Sequence, residues 1–358
     1  GPTFGGLIIF YLSWRWIFFI TAFMSAIACF VAYHFLPPLP PPKTHTELPI
    51  KATLLLVLGL FSLMTFLNSL LQLPYTIDLV LLLFSIITLS WFALLEFRTP
   101  QPLLELRILL NRSFLIANII RILINFIFFS IMFVVGLFLQ NILGYTPLYT
   151  SYLLLVLTVS FLVTAIPANK LVSLFSPTPV MIAGFLLLLI GSVLSAIHIP
   201  EQPFHYLIIT LFLTGVGVAC LIPATAAAAV LSSLREKTGA AMGVFLTNAF
   251  LGASIGIAIT DWVLSLHSTT ILLHLMQQHT ILLNNPEQLQ TSIYTARGIL
   301  PLNELAPAAL SPENIKVLRA LVEQAFIAGF SGVMWLYAGL AIVAMMLAYS
   351  LRRLKSQA

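Results

Sequence analysis

Three polar side chains stand at helical spacing inside one of the longest apolar runs of the sequence: Asn118, Arg121 and Asn125, at i, i+3 and i+7. That spacing puts them on one face of a helix. A charged side chain at the centre of a bilayer costs about 2.5–3.5 kcal/mol on insertion scales. Such a stripe therefore faces protein or a water-filled path, where its amides and guanidinium could handle the polar part of a passing solute. Alternatively, Arg121, two turns beyond Phe114, snorkels back to the headgroups. Gln140 and Asn248 join these three as candidate pathway residues. Asp261 closes another apolar run. A carboxylate there could take up and release a proton, or it could simply meet water.

Other residues carry weaker signals. Gly1, Pro2, Gly5 and Gly6 form a Gly-Pro-x-x-Gly-Gly element. Its proline bends a helix and its glycines let another backbone come close. Gly239 with Gly243, and Gly252 with Gly256, are Gly-x-x-x-Gly pairs suited to helix packing. Pro167 and Pro223 could break helices. Asp78, just after Pro74-Tyr75-Thr76, reads as an ordinary acidic helix start. His267, His274 and His279 lack a carboxylate or cysteine at ligand spacing, so no metal site is expected. Cys29 and Cys220 both fall in apolar runs and build no disulfide framework. Phosphate loops, His-Glu-x-x-His and Gly-x-Ser-x-Gly are absent, so no enzyme chemistry and no cofactor is expected.

The elements that would position these residues follow from composition. The chain has 358 residues, 60% of them hydrophobic and only 8% charged, with a mean hydropathy of +1.06. Soluble domains carry about 25% charged residues. Too few charges remain to coat a water-facing surface, which excludes cytosolic enzymes, secreted disulfide scaffolds and disordered tails. Runs such as Leu54 to Leu58 do not alternate as the strands of a membrane barrel would. The class is an all-α polytopic membrane protein.

About 20 apolar residues cross a bilayer. The runs that qualify are Trp16–Leu36, Ala52–Leu73, Ile77–Phe97, Phe114–Leu139, Tyr149–Ala168, Pro179–Ile199, Tyr206–Leu231, Ala240–Val263 and Phe326–Leu351, nine in all, with the end of a tenth before Leu12. Alternate loops hold Lys43, Lys51, Arg98, Arg107, Arg112, Lys170, Arg235 and Lys237, and so does the tail from Arg352. That bias predicts these loops and the C-terminus on the cytoplasmic side. The segment 264–325 is then external, with 265–283 lying in the interface as an amphipathic helix. The net charge of +5 reads as topology and attraction to anionic headgroups, not as nucleic-acid binding. A polyproline spacer, Pro37 to Pro42, divides the chain into residues 1–36, a linker with a helix pair over 37–113, and a six-helix block over 114–358.

Several motifs carry a family resemblance. Gly1-Pro2-Thr3-Phe4-Gly5-Gly6, followed by Ser13-Trp14-Arg15-Trp16-Ile17-Phe18, resembles the end of helix five and start of helix six in 14-helix drug:proton antiporters, the EmrB/QacA branch of the major facilitator superfamily. Pro102 to Arg107 with Asn111-Arg112-Ser113-Phe114 is similar to the segment before that family's ninth helix, and Leu139 to Leu148 to the turn after it. Gly215-Val216-Gly217 and Gly252 to Ala258 resemble its twelfth and thirteenth helices. A Gly-x-Leu-x-Asp-Arg-x-Gly-Arg element is expected over the cytoplasmic loop 168–179, where only Lys170 is charged.

The resemblance implies the superfamily fold without its first four helices, as a partial chain. It implies Gly1, Pro2, Gly5 and Gly6 as the antiporter motif that seals helix five. It also implies a proton-driven exporter of small amphipathic, often cationic compounds in a bacterial inner membrane. A periplasmic adaptor and an outer-membrane duct, used by some Gram-negative relatives, stay open as partners. The acidic proton-linked positions of the family fall largely in the absent helices, so this chain alone is expected not to transport. Two alternatives also stay open: an exporter of metabolites, siderophores or lipids on the same fold, and a non-transporting membrane remnant or scaffold.

Overall fold

The computed structural model describes residues 2–35, 49–69, 75–99, 106–199, 203–232, 238–279, 286–305 and 312–356. Gly1, the polyproline stretch 37–42, residues 100–105 and the basic pair Arg235 and Lys237 lie outside these, and with them the expectations placed there.

Among the described residues the chain is helical throughout. The helices are α1 (Pro2–Tyr11), α2 (Arg15–Phe35), α3 (Ile50–Ser69), α4 (Tyr75–Arg98), α5 (Arg112–Leu137), α6 (Pro147–Phe175), α7 (Pro177–His198), α8 (Pro203–Ser232), α9 (Thr238–Gln278), α10 (Pro286–Ala296) and α11 (Pro312–Ser356). Nine of these described helices are long and apolar enough to cross a membrane, matching the nine runs read from the sequence.

Local chemistry sets the helix ends. The Asn111 side chain caps α5, accepting from the Ser113 and Phe114 amides. Its Nδ2 donates to the Ser232 carbonyl (3.0 Å), which ties the start of α5 to the end of α8. At the other end α5 passes into a π-helical turn, Phe138–Ile142. Gly144 then takes φ +70, Thr146 caps α6 by accepting from the Tyr149 amide, and Pro147 fills the first helical position.

Helices α5 to α9 and α11 share one core, built around Ile120, Ile127, Phe138, Phe185, Phe245, Phe326 and Tyr337. Glycines bring its helices together. On α8, a Cβ built on Gly217 would fall 2.8 Å from the Gly184 carbonyl of α7. One on Gly215 would fall 3.1 Å from the Phe161 nitrogen of α6. The Gly-x-Gly thus turns one glycine toward each neighbour. Helices α3 and α4 pair separately: Ser62 and Ser85 hydroxyls donate across to Leu81 and Gly59 carbonyls.

Three sequence expectations are corrected. In the segment 264–325, the stretch expected as a separate interfacial helix over 265–283 is not a separate element as far as Gln278. Residues 264–278 continue α9, and 312–325 are the first turns of α11. Leu272 and Met276 of α9, Ala296 of α10, Leu305, and Leu318, Leu321, Val322 and Ala325 of α11 form a second apolar core. Their spacing of three and four is a helix seam, which a search for continuous greasy runs passes over. Likewise the expected loop 168–179 is helix, and Ser176 alone separates α6 from α7. Finally, Pro167 and Pro223 interrupt no helix, because α6 and α8 run on through them.

Candidate functional site

Helices α5 and α9 run side by side in a register offset by 130 residues. A Cβ on Gly252 would fall 2.8 Å from Ile122 Cα, and one on Gly256 would fall 2.7 Å from Phe126 Cα. One turn earlier, Asn248 Nδ2 donates to Asn118 Oδ1 at 2.8 Å. One turn later, Thr260 Oγ1 lies 2.9 Å from the Tyr337 hydroxyl of α11. Asn248, Gly252, Gly256 and Thr260 thus form one stripe at four-residue spacing; its first three members meet α5 and Thr260 meets α11.

The contact buries the polar face of α5. Asn118, Arg121 and Asn125 are all buried. Asn118 Nδ2 donates to the Phe114 carbonyl and Asn125 Nδ2 to the Arg121 carbonyl, both at 2.9 Å. The Arg121 guanidinium lies over the Phe245 ring, 5.0 Å from its centre. Its Nε and Nη1 have no hydrogen-bond partner among the described residues. Arg121 is thus held inside the protein. An aromatic face returns about 0.5–2 kcal/mol to such a cation, less than the several kcal/mol that removing it from water costs.

The remaining candidates lie elsewhere. Gln140 is exposed on the π-helical turn, 15 residues past Asn125 or roughly 22 Å along the axis, and does not join the cluster. Its neighbour Asn141 donates to the Gly298 carbonyl at 2.6 Å. Asp261 does not end a helix: it sits mid-way along α9, about one-third exposed, with Oδ2 4.0 Å from Arg297 Nη2. Arg297 is buried, and its Nε donates to Ser265 Oγ at 2.7 Å. Only the chain path after α10 brings Arg297 to Asp261 and Ser265.

The glycines divide. Gly252 and Gly256 lie against α5, whereas a Cβ on Gly239 or Gly243 would meet nothing within 4 Å among the described residues. Gly6 is buried where α1 meets α6, 2.9 Å from the Pro147 carbonyl by the same measure; Gly5 has open space, and Pro2 begins α1. Asp78 is buried and accepts from Ser69 of α3 at 2.5 Å. Among the described residues no three of His, Cys, Asp and Glu gather as a metal site would require.

The profile of the Major Facilitator Superfamily matches residues 1–163 and, overlapping, 117–276. The quinolone resistance protein NorB of Staphylococcus aureus is 26% identical over 273 residues, 74% of this chain and 58% of NorB. The methylenomycin A resistance protein of Streptomyces coelicolor is 28% identical over 75% of this chain and 56% of its own length. The multidrug resistance protein Stp of Mycobacterium tuberculosis is 26% identical over 74% of this chain and 49% of its own. The chain spans about half the length of the curated relatives it matches.

Proposed function

Because the chain belongs to the Major Facilitator Superfamily, we propose that it is part of a secondary transporter, not an enzyme, which exports drugs or similar amphipathic compounds. One observation carries the reading: membrane-length helices α5 and α9 bury a polar cluster, Asn118, Arg121 and Asn248, at their contact. Such groups are expensive in a bilayer and mark substrate paths. The relatives, each named for resistance to a drug or drugs, point the same way.

In this proposal the protein lies in a bacterial inner membrane with its C-terminus in the cytoplasm. Inward proton movement drives export by rocking two helical bundles. Six of the core helices, α5 to α9 and α11, are the C-terminal bundle, while α1 and α2 belong to the N-terminal one. Gly6 against Pro147 and Ser151 is then a contact between the two halves. Asp261, facing Arg297, is the proton-linked candidate in this chain. A periplasmic adaptor and outer-membrane duct are further candidate partners.

The test is expression of the complete transporter of which this chain is proposed to be part, in an efflux-deficient bacterial strain, with a panel of drugs and fluorescent dyes. The expected result is lower accumulation of at least one compound, reversed by a protonophore. Accumulation equal to the empty vector for every compound overturns the proposal.

A further inference from the structure

Among the described residues, Arg121 is a charge without a counter-charge. It is 9% exposed, and two of its three guanidinium nitrogens have no hydrogen-bond partner among the described residues. The helices packed on α5 are α8, α9 and α11. Neither α5 nor α8 contains an acidic residue. The acid of α9 is Asp261, 13 residues beyond Asn248 and opposite Arg297. Those of α11 are Glu313 and Glu323, in the half that packs with α10. No described helix packed on α5 brings a carboxylate to the depth of Arg121.

The neighbouring amides leave the same gap. Asn118 and Asn125 turn their Nδ2 groups to carbonyls of their own helix, and Asn118 Oδ1 receives Asn248. Asn248 is only half-buried, and its amide has a second hydrogen to give. A fixed guanidinium beside an available amide N–H, against an aromatic ring, is chemistry that recognises a carboxylate or phosphate on an apolar body.

We propose that Arg121 and Asn248, backed by Phe245, seat the anionic group of an amphipathic compound, a carboxylate or a phosphate. This rests on the transport reading above and gives it a substrate class. It opposes the cationic preference that the family resemblance implies, because a cation would meet Arg121 as a like charge. Two sources share the chemistry: an exported amphipathic acid, and the phosphate of an anionic lipid.

The experiment uses the purified chain in phosphatidylcholine nanodiscs with three fluorescent probes: pyrenebutyrate, its methyl ester, and a pyrenebutyl trimethylammonium salt. Pyrenebutyrate is expected to bind roughly tenfold more tightly than the ester, about one charge-assisted hydrogen bond, with the ammonium salt weakest. Arg121→Gln erases the difference between acid and ester while ester binding stays; Arg121→Lys keeps part of it. If Arg121→Gln does not run as a single species on size exclusion, Arg121→Lys and Asn248→Ala carry the comparison.

Short-chain phosphatidylglycerol is the second arm. Arg121-dependent binding of that lipid without pyrenebutyrate selectivity supports an anion seat and assigns it to a headgroup. Equal affinity for all three probes, with no effect of phosphatidylglycerol, overturns the proposal. Charge selectivity without export in cells would leave the anion seat standing and remove the transport reading; export without charge selectivity would do the reverse.

Discussion

Asn118 and Asn248 join α5 to α9 through a side-chain hydrogen bond of 2.8 Å. Bonds between membrane helices average about 0.6 kcal/mol and reach about 1.7. A double-mutant cycle of Asn118→Ala and Asn248→Ala, read by unfolding in detergent mixtures, is expected to give a coupling of about 0.5–1.5 kcal/mol. A coupling near zero would mean that the bond contributes nothing. The α5 stripe was readable in advance, because i, i+3, i+7 spacing fixes a helix face whatever surrounds it. What lies across from that face was not. Phe245 reaches Arg121 only through the register of two helices more than a hundred residues apart, and Arg297 reaches Asp261 only through the path of the chain after α10. Periodicity reports a side chain's direction and is silent about its partner.

At the scale of helices, the glycines show what such spacing can and cannot tell. Gly256 touches Phe126, while Gly243, on the same helix and in the same kind of pair, faces open space. Gly256→Leu is expected to force α5 and α9 apart and lower stability by about 1–3 kcal/mol or more. Gly243→Ala should be neutral or stabilising by up to about 1 kcal/mol, from helix propensity alone. Thermal unfolding of the two purified variants checks the contrast, and equal losses would show that α5 and α9 do not meet at Gly256. A Gly-x-x-x-Gly pair announces a smooth face; tertiary structure decides whether anything lies against it. The helices themselves were legible because a bilayer demands about 20 apolar residues in a row. The seam of Leu272, Met276, Leu318 and Val322 was missed because its apolar residues are spaced for packing between helices instead.

On the scale of the whole molecule, α9 and α11 are 41 and 45 residues long, or roughly 60 Å and 70 Å. The hydrocarbon core is about 30 Å thick. Both helices therefore stand well clear of the bilayer on one side, where they enclose α10 and the second apolar core. In the orientation proposed above, that cap lies outside the cell. With Cys29 and Cys220 replaced by alanine, a cysteine at Gln278 is expected to react with a membrane-impermeant maleimide in intact cells. A cysteine at Lys170 should react only after permeabilisation. The reverse pattern would invert the orientation.

The joint between α6 and α7 limits how this bundle can move. Ser176 adopts φ +72, a backbone region that side chains other than glycine's rarely enter, and Pro177 starts the next helix at once. With a single residue between Phe175 and Pro177, the two rods can part at that end by no more than about 7 Å. They are hinged like the legs of a drawing compass: whatever swing the protein performs, their tips at this end stay pinned together and any spreading must occur at the far end.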